Sequence, residues 1–267
     1  MSGLRITRIA PTAVIVGAEQ TEIDGHPSPT VEVAGGVRSR SVGPVGASLW
    51  LARVQLDDGA SIRWNSSHGD EALYVVSGAL EVDGLTCPAD GAVIVEAAVT
   101  TTVTASGPTE VVHVGPADPT PPTDGVHGPA ATEGRGVRVI GTGGVWSRAE
   151  DIRRTRFFAD ATSPTCRLWL LYTERLAAAE TPGHSHSEDE LIHVLKGTIR
   201  LGRREAGPGD SVWIAGDRRY QLRSDGPFAF LNYRRDASFM TIGRDDEPFL
   251  ESGATTGLTY VGDVPSG

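Results

Sequence analysis

Two imidazoles and a carboxylate, His184, His186 and Glu190, fall inside the stretch Pro182-Gly183-His184-Ser185-His186-Ser187-Glu188-Asp189-Glu190. Strand side chains alternate with period two, so spacings of two and four bring all three to one side of an extended segment. Two neutral nitrogens and one hard oxygen suit a divalent first-row metal such as Fe, Mn, Ni, Co or Zn. Three protein ligands leave a position open for water, substrate or dioxygen. The intervening Glu188 and Asp189 are expected to point outward into solvent. Elsewhere Trp169, Trp213 and Tyr233 are candidates to line a pocket, and Arg200 and Arg167 to hold a substrate carboxylate, although surface exposure is the plainer expectation for both arginines. His193 alternates away from the metal face, toward a sheet–sheet or subunit surface.

The elements that must position these residues are short strands. An internal repeat runs at an offset of 119 residues: Leu49-Trp50-Leu51 recurs as Leu168-Trp169-Leu170, Glu71 as Glu190, Leu73–Gly78 as Ile192–Gly197, Val93–Val95 as Val212–Ile214, and Val111–Val114 as Phe230–Tyr233. A constant offset across five matches indicates a duplication. Each copy holds β-branched runs separated by turn residues, with Gly78 and Gly197 placed between strands, where a turn asks for an unusual backbone angle. The segment 118–136, with Pro119, Pro121, Pro122 and Pro129, reads as a linker, because proline rules out a helix interior or central strand. The sequence therefore predicts a barrel over 1–117, a linker over 118–136, a second barrel over 137–252 and a weakly patterned tail over 253–267.

Composition narrows the classes. The 267 residues carry a formal net charge of −10 and no Lys/Arg-rich run, which argues against a nucleic-acid partner. Thirty-three glycines and 17 prolines suit strands and turns better than helices. Two cysteines, Cys87 and Cys166, make no disulfide framework and fit a reducing compartment. The opening MSGLRITRIAPTAVIVG lacks an apolar core of the length and placement a secretory signal needs, and no stretch approaches 18 apolar residues. The expectation is a cytoplasmic protein with no membrane partner.

The second copy resembles a cupin. That superfamily's first motif, His-x-His, three or four residues, Glu, six residues, Gly, is present as His184, His186, Glu190 and Gly197. Its second motif begins Pro-Gly-Asp, here Pro208-Gly209-Asp210, and ends in a third metal-binding histidine, whose position is held by Tyr220. The first copy resembles a degenerate cupin: Glu71 and Gly78 are kept, while Asn65, Ser67 and Thr101 stand at the three histidine positions. The whole is similar to bicupins, a group that includes oxalate decarboxylases, dioxygenases, ureidoglycine aminohydrolases and non-catalytic storage proteins. The resemblance implies an all-β chain of two tandem jelly-roll barrels, with one divalent metal (Fe, Mn, Ni or Zn) held by His184, His186, Glu190 and Tyr220, and with Tyr220 and Glu190 as catalytic groups. A small organic molecule is the implied substrate, and a homodimer is compatible with the family. Two histidines and a carboxylate favour a non-haem Fe(II) dioxygenase slightly. A Mn-, Ni- or Zn-dependent hydrolase, isomerase or lyase, and a non-catalytic binding cupin, stand as alternatives.

Overall fold

The computed structural model describes residues 14–16, 23–42, 47–120, 123, 125–142, 146–149, 153–243, 245–251 and 259–261. Those residues form strands and turns with no helix among them, and thus no helix long and apolar enough to cross a membrane. The chain is all-β, built as two jelly-roll domains. In each, a large antiparallel sheet faces a smaller one. The first pairs a seven-stranded with a five-stranded sheet; the second pairs an eight-stranded sheet with a four-stranded and a three-stranded one.

The 119-residue offset carries through the strands. Glu71–Ser77 corresponds to Glu190–Lys196, Ala92–Val95 to Ser211–Ile214, Thr102–Ala105 to Leu222–Ser224, and Thr109–Pro116 to Phe228–Arg234. Small-sheet strands alternate as half-buried strands should: Ile199 and Leu201 are buried and Arg200 is exposed. The first five residues of Glu71–Ser77 and of Glu190–Lys196 are instead all buried, because both faces of these strands are covered. Leu73 and Val75 fill the first barrel and Ile192 and Val194 the second. Ala72, Tyr74 and Leu191, on the alternate face, join a third core lying between the barrels.

Gly78 and Gly197 adopt positive φ angles of 79° and 69°, the left-handed region. A Cβ on Gly197 would also meet the Pro227 carbonyl and Phe228. Gly197→Ala is expected to cost ~1–3 kcal/mol, read as a lower denaturation midpoint with unchanged m-value; an unaffected midpoint would show that the turn relaxes freely.

The barrels exchange strands, which corrects the expected boundaries. Val137–Ile140, assigned by sequence to the second barrel, pairs with Ala92–Val95 of the first. Reciprocally, Val14–Val16 pairs with Ser211–Trp213 of the second. The tail is not wholly without structure either, since Thr259–Val261 pairs with Trp146–Arg148. Its residues 253–258 and 262–267 lie outside the described ones.

A pair of aspartates locks the barrels together, again 119 residues apart. Asp70 accepts from the amides of Ala97 and Arg167, each at 2.8 Å. Asp189 accepts from the Gly216 amide at 2.7 Å and from the Ser48 hydroxyl. Asp189 thus bridges the two copies rather than facing solvent, as the sequence had suggested. Arg167 is also buried, its guanidinium holding the carbonyls of Gly128, His127 and Pro129. It anchors the linker.

Candidate functional site

A cavity of about 310 Å³ opens inside the second barrel. Its apolar wall includes Leu171, Ile192, Phe228, Phe230, Met240 and Phe249, and its polar groups include His184, His186, Tyr220, Arg234, Arg153 and Glu251. The strand His184–His186 carries both imidazoles to the inside with Ser185 between them, as period two requires. Tyr220 lies opposite His184. The two backbones exchange hydrogen bonds of 3.0 and 2.9 Å, and their ring centroids are 4.3 Å apart. The structure therefore brings together all four residues that the motif singled out.

What surrounds Glu190 could not be read from the motif. Its carboxylate is 1% exposed and fully engaged. The Tyr220 hydroxyl donates to Oε1 at 2.6 Å. Arg234 donates to Oε2 from Nε at 2.9 Å, and its Nη2 lies 2.7 Å from the same oxygen. The guanidinium also reaches His186 Nε2 at 3.2 Å and pairs with Glu251 through Nη1. Arg234 rests over the Trp169 ring, 5.4 Å from its centroid.

Electrostatics follow from that contact set. Burial alone would raise the Glu190 pKa, but Arg234 and then His186 outweigh it and hold the carboxyl at about 2. His186 is pushed down to about 4, first by burial and then by Arg234. A neutral His186 that accepts from Arg234 at Nε2 carries its proton on Nδ1, a buried atom 3.4 Å from Glu251 Oε2. Burial of the phenol, then Glu190, holds Tyr220 well above its ordinary range, so it remains protonated. His184 Nδ1 donates to the Pro182 carbonyl at 2.8 Å, which selects the tautomer with Nε2 as the free acceptor.

His184 is thus prepared as a metal ligand. The rest of the arrangement does not fit a divalent ion. Both oxygens of Glu190 and Nε2 of His186 already face donors, and Tyr220 is a phenol rather than a phenolate. A dication ~4 Å from the guanidinium would meet a repulsion of ~8 kcal/mol at an effective dielectric of about 20. Among the described residues, no group of three or more His, Cys, Asp or Glu is arranged to hold a metal.

The pocket residues expected from sequence lie elsewhere. Trp213 and Tyr233 belong to the core between the barrels. Arg200 is at the surface, 2.7 Å from Glu205 and 2.5 Å from Asp225. Trp169 backs Arg234 from a separate cluster. His193 is buried between sheets, 2.7 Å from the Ser211 hydroxyl, as its phase predicted. Sequence reasoning missed Arg234, Arg153 and Glu251. One signal was available: Arg234 ends the strand Phe228–Arg234 in phase with Phe230 and Asn232, which face the same cavity.

The first barrel is filled differently. Asn65 and Ser67 bond each other on the outside, Asn65 Oδ1 accepting from the Ser67 amide at 2.8 Å. Glu71 accepts from Trp64 Nε1 at 2.7 Å, His113 Nε2 at 2.9 Å and Thr30 Oγ1 at 3.2 Å. A directed chain leads to it. The Ser28 amide donates to His26 Nδ1, His26 Nε2 to His113 Nδ1, and His113 Nε2 to Glu71. The counterpart of Arg234 is Gly115, where a Cβ would meet Trp50 and Glu71. No room exists there for a side chain.

No protein-family model and no curated protein matches this chain. Solved structures do. A variant of Bacillus subtilis oxalate decarboxylase matches with a TM-score of 0.58 at 13% identity, over 83% of this chain and 78% of that one. A structure of the same enzyme concerned with its Mn(II) centres matches at 0.57 and 13%, over 80% and 77%. Another, at pH 4.6, matches at 0.57 and 12%, over 80% and 76%. These likenesses show the bicupin fold. They also correct the reading as an oxidoreductase or dioxygenase: the matched enzyme is named for a decarboxylation, a lyase reaction, and Glu190 is tied to Arg234 instead of standing open as one arm of an iron triad.

Proposed function

We propose that the chain binds a small organic acid in the C-terminal barrel and acts on it by proton transfer, as a non-redox lyase, isomerase or hydrolase. The observation that carries this reading is the pairing of largely apolar cavity walls with two arginines in the same lining. Arg153 and Arg175 lie directly opposite each other in strand register, and both line the cavity. Like charges so placed repel each other, and although Glu251 offsets part of the Arg153 charge, a further negative group beside the pair is favoured. Arg153 Nε is buried and has no hydrogen-bond partner among the described residues. A carboxylate supplies both the charge and the acceptor.

In the same lining, Nε2 of His184 is the group suited to take a proton from the bound acid. Tyr220 keeps its proton and can donate to charge developing on a substrate oxygen. Arg234 keeps Glu190 ionised, and Glu190 in turn fixes the Tyr220 hydroxyl at 2.6 Å. The bicupin likeness supports the fold of this site, and the matched enzyme's name agrees with a carboxylate ligand; the assignment itself rests on the cavity.

Calorimetry with apolar carboxylic acids and their amides tests the reading. The acids should bind and the amides should not. Arg153→Ala should weaken acid binding ~10-fold or more, the usual loss for a charge-assisted hydrogen bond. Tyr220→Phe should lower turnover ~100-fold or more and leave binding nearly unchanged. Equal binding of acids and amides would sink the proposal, and so would a Tyr220→Phe protein with full activity.

A further inference from the structure

We infer that Arg234 is the resident cation of the C-terminal site, a tethered guanidinium that takes the place of a divalent ion and makes the site metal-independent. This goes beyond the proposed reaction and holds whatever the ligand is. Three observations carry it. The guanidinium sits at the junction of the side chains that a metal would need, touching Glu190 Oε2, His186 Nε2 and Glu251. It is 2% exposed, stacked on Trp169 and bonded on both flanks, so it is held and not resting at a mouth. Its charge is also met without an ion, because Arg234 pairs directly with the carboxylates of Glu190 and Glu251.

The geometry explains why the motif survives without its metal. Glu190 is needed to neutralise Arg234, and His186 to receive one of its N–H groups. Tyr220, at the position of the third histidine, donates to the remaining oxygen of Glu190. Each ligand-type residue has a hydrogen-bonding task toward the arginine or its partner carboxylate, apart from His184. Removing the guanidinium alone should therefore restore a set of vacant donors. These are Glu190, Glu251 and the imidazoles of His184 and His186.

Metal titration of full-length protein tests this. Chelator-treated wild-type protein, titrated with Mn(II), Ni(II) and Zn(II) in turn, should bind none of them stoichiometrically, and its melting temperature should not move. Arg234→Met keeps the aliphatic volume and deletes the charge. It should bind at least one of the three ions about 100-fold more tightly than wild type, and be stabilised by that ion, as a ligand specific for the folded state must do. Adding His184→Ala should abolish the gain. Arg234→Met combined with Glu251→Gln removes one of the charges left uncompensated and covers the case in which the single variant is too unstable. Wild-type protein that binds one ion per chain at micromolar concentration, and loses it with His184→Ala, overturns the inference. Folded Arg234→Met protein with no gained affinity also overturns it. So does failure of both variants to fold with every one of the three ions present.

Discussion

Between pH 6.5 and pH 4 the folded chain should lose at least ~6 kcal/mol of stability through its buried histidines. Burial, and next to it the Arg234 charge, holds the His186 pKa at about 4; burial, then Arg53, holds His193 at about 3. Both therefore stay neutral in the folded chain at pH values where an exposed histidine, with its ordinary value of 6.5, takes up a proton. The unfolded state binds more protons in this window, so stability falls as pH falls. Each histidine contributes ~1.4 kcal/mol per pH unit, and two act together over about 2.5 units. His26, pushed down to about 2 by burial and then by His113, steepens the decline. Glu190 acts in a different window. Its folded value of about 2 lies below that of an unfolded carboxyl, so its contribution is present above pH 4.5 and disappears only in stronger acid. Domain stabilities are commonly ~5–15 kcal/mol, so the chain should approach unfolding near pH 4. Urea denaturation at a series of pH values reads this directly. His193→Asn should reduce the slope by ~1.4 kcal/mol per unit, and a stability that is flat from pH 7 to pH 5 would falsify the account.

Replacing Glu190 by alanine should cost ~3–5 kcal/mol, the usual penalty for stranding a buried charge by deleting its partner. The guanidinium of Arg234 would keep Glu251 but lose the oxygen that both Nε and Nη2 approach. Tyr220 would lose its acceptor at the same time. The equivalent change in the first barrel, Glu71→Ala, strands Trp64 Nε1, the His113 ring and the Thr30 hydroxyl. That difference makes charge the deciding variable. Adding Arg234→Met should recover part of the loss at Glu190, because no cation then remains to be neutralised. A double-mutant cycle between positions 190 and 234 should show coupling of ~2 kcal/mol or more. Additive losses would mean that the pair contributes only packing.

The repeat, the all-β class and the inward face of His184 and His186 were legible in the sequence because each rests on a periodicity, whereas Tyr220 was placed by the resemblance to the cupin motif. Constant offset shows duplication, and period two shows a shared face. The environment of Glu190 was not legible in the same way. Arg234 and Glu251 follow Glu190 by 44 and 61 positions, and no local pattern joins them across a barrel. The aromatic residues were misplaced for a related reason. Trp213 and Tyr233 lie on strands buried on both faces, so hydrophobicity alone cannot tell a barrel interior from a barrel–barrel contact. Asp70 and Asp189 carried a readable signal, since each immediately precedes its motif glutamate. Their role as locks appears only when Ser48 and Arg167 come into reach.

The exchanged strands bear on the history of the chain. Val14–Val16 completes the second barrel, and Val137–Ile140 completes the first. Two separate copies of a single ancestral barrel, each lending its leading strand to the other, would give the same architecture with no linker. The tandem gene then reads as a fused homodimer. Fusion makes the halves inherit together, so one can drift as long as the other keeps the working cavity. In that light, Gly115 against Arg234 and Asn65 against His184 mark where the two copies have diverged.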